Sequence, residues 1–287
     1  MPPIVQGLIK LALVAVVIFA AFKYHIGAGI GVLVLLLAFW IYKSRSAIYA
    51  QQGNVAYMKG DMKTALAKLE KAYQTKPFHP QHIAGYGFLL AKAGETEQAE
   101  QVLNEVLSGQ LSNEIRLQAQ VNLATVYWLQ GKRDEAHNLL ATVYENYKNT
   151  TVYGNLGYFK LLRGELDDAL RFNREAYEYN DGDVTILDNL AQTYYLLGRF
   201  EEAAEMYAKA VDKSPKHAES YYYYALTLQE LGRLEEAAEQ IGYAKHKELA
   251  LITTVTKEQI ENLAQQLEQE VEPESESGAE PDRDDDR

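Results

Sequence analysis

The chain has 287 residues, 47% of them hydrophobic, with 28 basic and 40 acidic side chains, a net charge of −12 and no cysteine. Without cysteine there is no disulfide, no thiolate metal site and no cysteine nucleophile. Residues 1–46 hold four Lys/Arg and no acid, so the remainder is strongly acidic; such a body repels a phosphate backbone, which excludes nucleic acid as a natural partner.

In chain order, the first feature is a pair of apolar runs. Ile4–Phe22 is interrupted only by Gln6 and Lys10, and Ile26–Tyr42 carries no charge. At ~1.5 Å per residue each reaches roughly 25–28 Å, close to the thickness of a bilayer's hydrocarbon core. The polar break Lys23-Tyr24-His25 suits an interface, Lys10 can snorkel to the near surface, and Trp40 and Tyr42 fall where an aromatic belt is expected. Residues 1–45 therefore read as a membrane anchor of two transmembrane helices, about 4–22 and 26–42. A signal peptide is the rival for the first run, weakened by the absence of Lys or Arg before Lys10. Gly27 and Gly31 have the spacing that lets membrane helices approach closely, with Gly29 between them. Lys43 and Arg45, then Lys59 and Lys63, outweigh Lys23 at the hairpin tip, so the positive-inside rule places everything after residue 43 in the cytoplasm, at the cell membrane.

The body that follows is periodic. Its clearest unit is Val184–His217: Leu187, Leu190, Ala191 and Tyr194 share one helix face, Gly198 breaks the pattern, Ala203, Tyr207 and Ala210 mark a second helix, and Pro215 stops it. Five more copies lie in phase. Inter-helix glycines fall at Gly60, Gly94, Gly131, Gly164, Gly198 and Gly232, each followed five residues later by Ala65, Ala99, Ala136, Ala169, Ala203 or Ala237. Glycine permits the tight turn and alanine lets the second helix pack on the first. This order resembles the tetratricopeptide repeat over about residues 46–252. The resemblance implies an all-α fold, a right-handed superhelical solenoid of about six helix-turn-helix repeats. The fourth unit departs from the pattern with Lys160 where an aromatic is usual and Asn173 where a large apolar residue is usual. Pro77 should end the second helix of the first unit. The excess between Gly94 and Gly131 falls in Ser108–Asn113, a turn-like stretch expected to lengthen one connection.

Residues 253–271 read as a capping helix with Ile260, Leu263 and Leu267 on one face, opened by a Thr256–Gln259 capping box. Residues 272–287, EPESESGAEPDRDDDR, have no large apolar side chain and are expected to be disordered.

Reaction chemistry is not evident. Glu201-Glu202, Glu235-Glu236, Asp167-Asp168 and Asp134-Glu135 recur at the first turn of successive second helices, where the helix dipole favours negative charge; this repeated structural reason is a better account than acid–base catalysis. His79 and His82 are separated by Pro80 and lack a third metal ligand. No nucleophile elbow, phosphate loop or zinc-protease motif occurs. The expectation is a chain that is not an enzyme, with no cofactor and no metal.

Projection onto the repeat places another set of residues toward the hollow of the superhelix. Asn122, Asn155 and Asn189 share one phase; Asn54, Phe88, Thr125, Tyr158 and Gln192 share another; Tyr222 and Tyr223 join them in the sixth unit, while Tyr221 and Tyr224 take packing phases. An asparagine amide offers donors and an acceptor to any extended backbone, and aromatics add stacking area with a polar tip. The resemblance implies a similar use, gripping an extended peptide; the plainer account is that these asparagines satisfy neighbouring backbone groups. Asp188 and Glu219 at inward positions disfavour a carboxylate clamp. The reading that follows is a membrane-tethered scaffold that binds a protein or peptide partner in its concave groove. The alternatives are an envelope assembly factor with its repeats outside the cytoplasm, or a non-catalytic subunit of a membrane enzyme complex.

Overall fold

The computed structural model describes residues 3–76 and 78–271. Pro77 and the Glu272–Arg287 tail lie outside the described residues, as does the side chain of Lys10. The described chain is helical throughout: α1 (Pro3–Tyr24), α2 (Ile26–Met58), α3 (Met62–Gln74), α4 (Pro80–Lys92), α5 (Thr96–Leu107), α6 (Asn113–Leu129), α7 (Arg133–Asn146), α8 (Thr150–Leu162), α9 (Leu166–Tyr179), α10 (Val184–Leu196), α11 (Phe200–Val211), α12 (Ala218–Glu230), α13 (Leu234–Lys245) and α14 (Lys257–Val271). It divides into two compact units, Met1–Ala93 with Glu97–Ile115, and Gly94–Thr96 with Arg116–Arg287.

In the first unit, α1 and α2 pair as an apolar hairpin. Both helices are long and apolar enough to cross a membrane, with mean hydropathy 2.3 and 2.0 and almost no burial, a test that a signal sequence also passes. The close approach is made at Gly29, where a Cβ would sit 2.4 Å from the Phe22 ring. Gly27 would meet only its own neighbour His25, and Gly31 has open space around it, so the expected spacing pair is not what lets the helices touch. α2 does not stop at Tyr42. The Lys43–Ser46 stretch contains no glycine or proline, and the helix runs on to Met58, so the boundary expected at residue 45 falls inside one continuous rod. Its second half packs on α3, with Ser46 Oγ donating to the buried Ala72 carbonyl at 2.8 Å.

The hairpin turn follows from its residues. All six inter-helix glycines have positive φ, from 71° to 86°, the left-handed region that costs other residues a Cβ clash. At Gly198 the turn closes with Arg199 N–H donating to the Tyr194 carbonyl at 2.9 Å, the six-to-one bond of a Schellman cap. The six following alanines are fully buried. Seven residues before each glycine a small residue recurs, and in the fourth unit it is Gly157, where a Cβ would sit 2.1 Å from Asn173 Oδ1. Asn173 is thus the unusual residue that a glycine admits. Its Nδ2 donates to Thr193 Oγ1 at 3.1 Å, and Thr193 donates to the Asn189 carbonyl at 2.6 Å. Lys160 pairs with Asp168 and lays its ammonium 5.5 Å from the Phe172 ring centre, replacing the usual aromatic by a cation over one.

Two local expectations are corrected. The extra residues before Gly131 do not lengthen a loop: α6 has 17 residues where α4, α8, α10 and α12 have 13 each, so they add a helical turn. α11 ends at Val211, ahead of Pro215, with Ser214 in the left-handed region at φ 55°. The paired acids do occupy first turns, and two are tied by Arg199–Glu202 and Arg233–Glu236 ion pairs.

Candidate functional site

In the second unit, α8, α10 and α12 lie side by side, each presenting the same phase to one face. Along that face runs a non-helical segment of the chain itself, bridged to His217 at Glu248 and bent at Leu251, Ile252 and Thr254. α13 and α14 are joined by eleven residues, 246–256, against three to six residues in the other inter-hairpin connections. Leu249 packs against the core formed by α10 to α14 and Ile252 against the core formed by α6 to α10.

The segment is held mainly through its backbone. Ala218 N–H donates to the Glu248 carbonyl at 2.9 Å. Ala250 N–H donates to Glu219 Oε1 at 2.9 Å. The Tyr158 hydroxyl donates to the Ile252 carbonyl at 3.2 Å, and the Tyr223 hydroxyl pairs with Thr254 Oγ1 at 2.8 Å. α14 then starts with the reciprocal capping box: Thr256 N–H to Gln259 Oε1 at 2.8 Å and Gln259 N–H to Thr256 Oγ1 at 3.1 Å.

The inward set divides by where it sits. Tyr158 and Tyr223 meet the segment on this face; Tyr222 is buried in the core of α10 to α14 and lies edge-on to Tyr223 at 5.3 Å, with Tyr195 5.6 Å from Tyr223. Asn189 is buried and donates to the Gly154 carbonyl at 2.7 Å; Asn155 donates to the Thr151 carbonyl of its own helix at 2.8 Å. Asn122 accepts from Gln118 at 2.9 Å and is buried, as is Gln192. Thr125 donates to the Val121 carbonyl. Asn122, Thr125, Asn155 and Asn189 are thus engaged within the fold. In the first unit, Asn54 is exposed and Phe88 half-buried.

Acid lies against the segment. Glu219 on α12 is buried, and Asp188 on α10 is half-buried with its Oδ1 out of solvent. Burial pushes the Asp188 carboxyl up to about 6; the Ser220 hydroxyl opposes this and the charge of Glu219 adds to it. Burial, then the fields of Asp188 and Glu219, raises the Tyr158 hydroxyl far above its ordinary range, so it is a hydrogen-bond donor at every physiological pH. Projection by repeat phase picks out Tyr158 and Tyr223, the two tyrosines that bond the segment. It missed the segment, whose only sequence signal is the long aperiodic stretch LALITTVT between two helical patterns. His79 and His82 stand with rings 5.0 Å apart, and among the described residues no group of three His, Asp or Glu is placed to hold a metal ion.

Family models described as tetratricopeptide repeat match residues 56–118, 117–142, 150–216 and 189–244. Among solved structures, the chain is similar to TTC0263, a thermophilic TPR protein of Thermus thermophilus (22% identity, 64% of this chain and 99% of that one, TM-score 0.54). It is also similar to pilF of Pseudomonas aeruginosa (17% identity, 80% and 99%, TM-score 0.57). A third likeness is to the APC/C hetero-tetramer Cut9–Hcn1 (14% identity, 81% and 45%, TM-score 0.62). At these identities the likeness is one of fold. Among curated proteins no relative matches the chain. With its helical hairpins turning on left-handed glycines, and repeat models matching residues 56–142 and 150–244, the chain belongs to the tetratricopeptide repeat family.

Proposed function

We propose that this chain is a non-catalytic adaptor, tethered to the cell membrane by α1 and the apolar half of α2, whose cytoplasmic repeats grip an extended segment of a protein partner. The observation that carries the reading is the face of α8, α10 and α12. It pairs with the main chain of a non-helical segment through the Tyr158 hydroxyl, the Glu219 carboxylate and the Ala218 N–H, groups that read main chain rather than side chain. Asn122, Thr125, Asn155, Asn189, Gln192, Tyr222 and Tyr223 are proposed as lining or supports of that surface, and Asn54 and Phe88 as contacts in the first unit. Tethering is supported by the length and apolarity of the two N-terminal helices, and the cytoplasmic side by Lys43 and Arg45 after the second run.

The test is co-purification from detergent after crosslinking in the native cell, comparing the unaltered chain with Y158F/Y223F and with N122A/N155A/N189A. Loss of partners with the tyrosine pair is expected; undiminished recovery with both variants overturns the peptide-gripping face. A reporter fused after Arg287 and active only outside the cytoplasm would instead favour an envelope assembly factor.

A further inference from the structure

The internal segment leaves the face it covers poorly satisfied. Asp188 Oδ1, Glu219 Oε2 and the Tyr207 hydroxyl are buried with no hydrogen-bond partner, and Glu219 is only 8% exposed. Buried polar atoms without partners are rare in folded proteins and call for an explanation. Here two carboxyl groups face one another's charge; the Ser220 hydroxyl donates to the Asp188 carboxyl and the Ala250 N–H to Glu219 Oε1, which leaves Asp188 Oδ1 and Glu219 Oε2 open. Residues 248–256 read ELALITTVT and contain no cation. Lys247, just before them, sits over the Tyr221 ring at 5.2 Å.

An acidic pair with open acceptors wants a basic group, whose several N–H donors fill both carboxylates at once. The surrounding contacts define the rest of the guest. Main-chain carbonyls are held by Tyr158 and Ala218, an apolar side chain seats where Leu249 does, and a second seats three residues on, where Ile252 does. The residue after the first apolar one, at the place of Ala250, sets its backbone N–H on Glu219, the acid whose charge acts on Asp188. The whole chain's charge of −12 favours the same partner at long range.

We infer that the face of α8, α10 and α12 is a binding site for an extended basic peptide segment of pattern apolar-basic-x-apolar, its lysine or arginine seated between Asp188 and Glu219, and that Leu249–Thr254 is the chain's own neutral stand-in for that guest. The inference rests on the peptide-gripping reading of this face. Binding then requires displacement of the segment, so affinity is set by competition between a tethered neutral strand and an untethered charged one.

The experiment uses the full chain in detergent, with fluorescein-labelled LKLITT and LALITT as probes and L249S/I252S as a variant whose segment is released. LKLITT is expected to bind the released variant at least about tenfold tighter than LALITT, and about tenfold tighter than it binds the unaltered chain. Adding D188N/E219Q should abolish the preference while LALITT still binds. Equal binding of the two peptides overturns the basic site and leaves the peptide-gripping face standing. Binding of neither peptide, with the helical circular dichroism intact, overturns both. Amide exchange on the unaltered chain covers the case in which the released variant does not fold: excess LKLITT should accelerate exchange at the Ala250 N–H, and unchanged exchange at millimolar peptide overturns the inference.

Discussion

The Tyr158 hydroxyl on α8 donates to the carbonyl of Ile252, 94 residues further along the chain. That bond ties the middle of the α13–α14 connection to a helix two repeats earlier. Tyr158→Phe removes the donor and leaves a partly buried carbonyl unpaired, a loss of about 1 kcal/mol. Amide exchange through Leu249–Thr254 should quicken severalfold while exchange in α10 and α11 holds; unchanged protection at Ala250 would mean that the bond does not retain the segment.

Asp188 makes stability depend on pH in an uncommon direction. Its folded-state carboxyl titrates at about 6, against roughly 4 in an unfolded chain. Between those values the folded state holds the extra proton, so stability falls as pH rises from about 4 to about 6 and stays lower above. Asp188→Asn keeps the shape and removes the charge beside Glu219. Its melting temperature should exceed that of the unaltered chain at pH 7.5 and converge with it near pH 4, a trend a pair of thermal melts checks; convergence at high pH instead would refute the assignment.

Glycines at different places should answer differently to the same substitution. Gly198→Ala forces a Cβ into the left-handed turn between α10 and α11, where φ is 71°, at about 1–2 kcal/mol. Gly31→Ala, in a helix with open space around it, should be neutral or slightly stabilising, by at most about 1 kcal/mol. Gly29→Ala drives a methyl into the Phe22 ring and should weaken the pairing of α1 with α2. Thermal melts of the three variants in one detergent order them; a Gly198→Ala chain as stable as Gly31→Ala would remove the turn's requirement for glycine.

The α14 cap is a compact target. Thr256→Ala deletes the hydroxyl that receives Gln259 N–H and should cost about 1 kcal/mol, seen as faster exchange in the first turn of α14 with α10 to α13 unaffected.

What was legible in the sequence was local and repeated. A glycine followed five residues later by alanine, six times in phase, is a statement about turn and packing within one hairpin, and the structure meets it with positive φ and full burial at every copy. The capping box was legible for the same reason, since both partners lie within one turn. What escaped was non-local. Leu249–Thr254 has no period, and its position is set by Tyr158, Glu219 and Tyr223, between 31 and 94 residues away. The amide of Asn189 is directed by a carbonyl 35 residues earlier, which spacing on a single helix does not reveal. The extra turn of α6 was hidden because Ser108–Asn113 has turn composition, whereas Asn113 itself opens the longer helix.

The unbroken α2 has a consequence for rotation. From Ile26 to Met58 it is one shaft of 33 residues, about 50 Å long at ~1.5 Å per residue, keyed to α3 through Ser46 and Ala72. With no swivel between its apolar half and the first hairpin, the azimuth of one dictates the azimuth of the other. Deleting one residue between Lys43 and Ser46 turns the hairpin by about 100° around the shaft, and inserting about two full turns of helix there returns it nearly to its starting bearing. The number of residues in that stretch is therefore a compass setting, deciding which way the first repeat points.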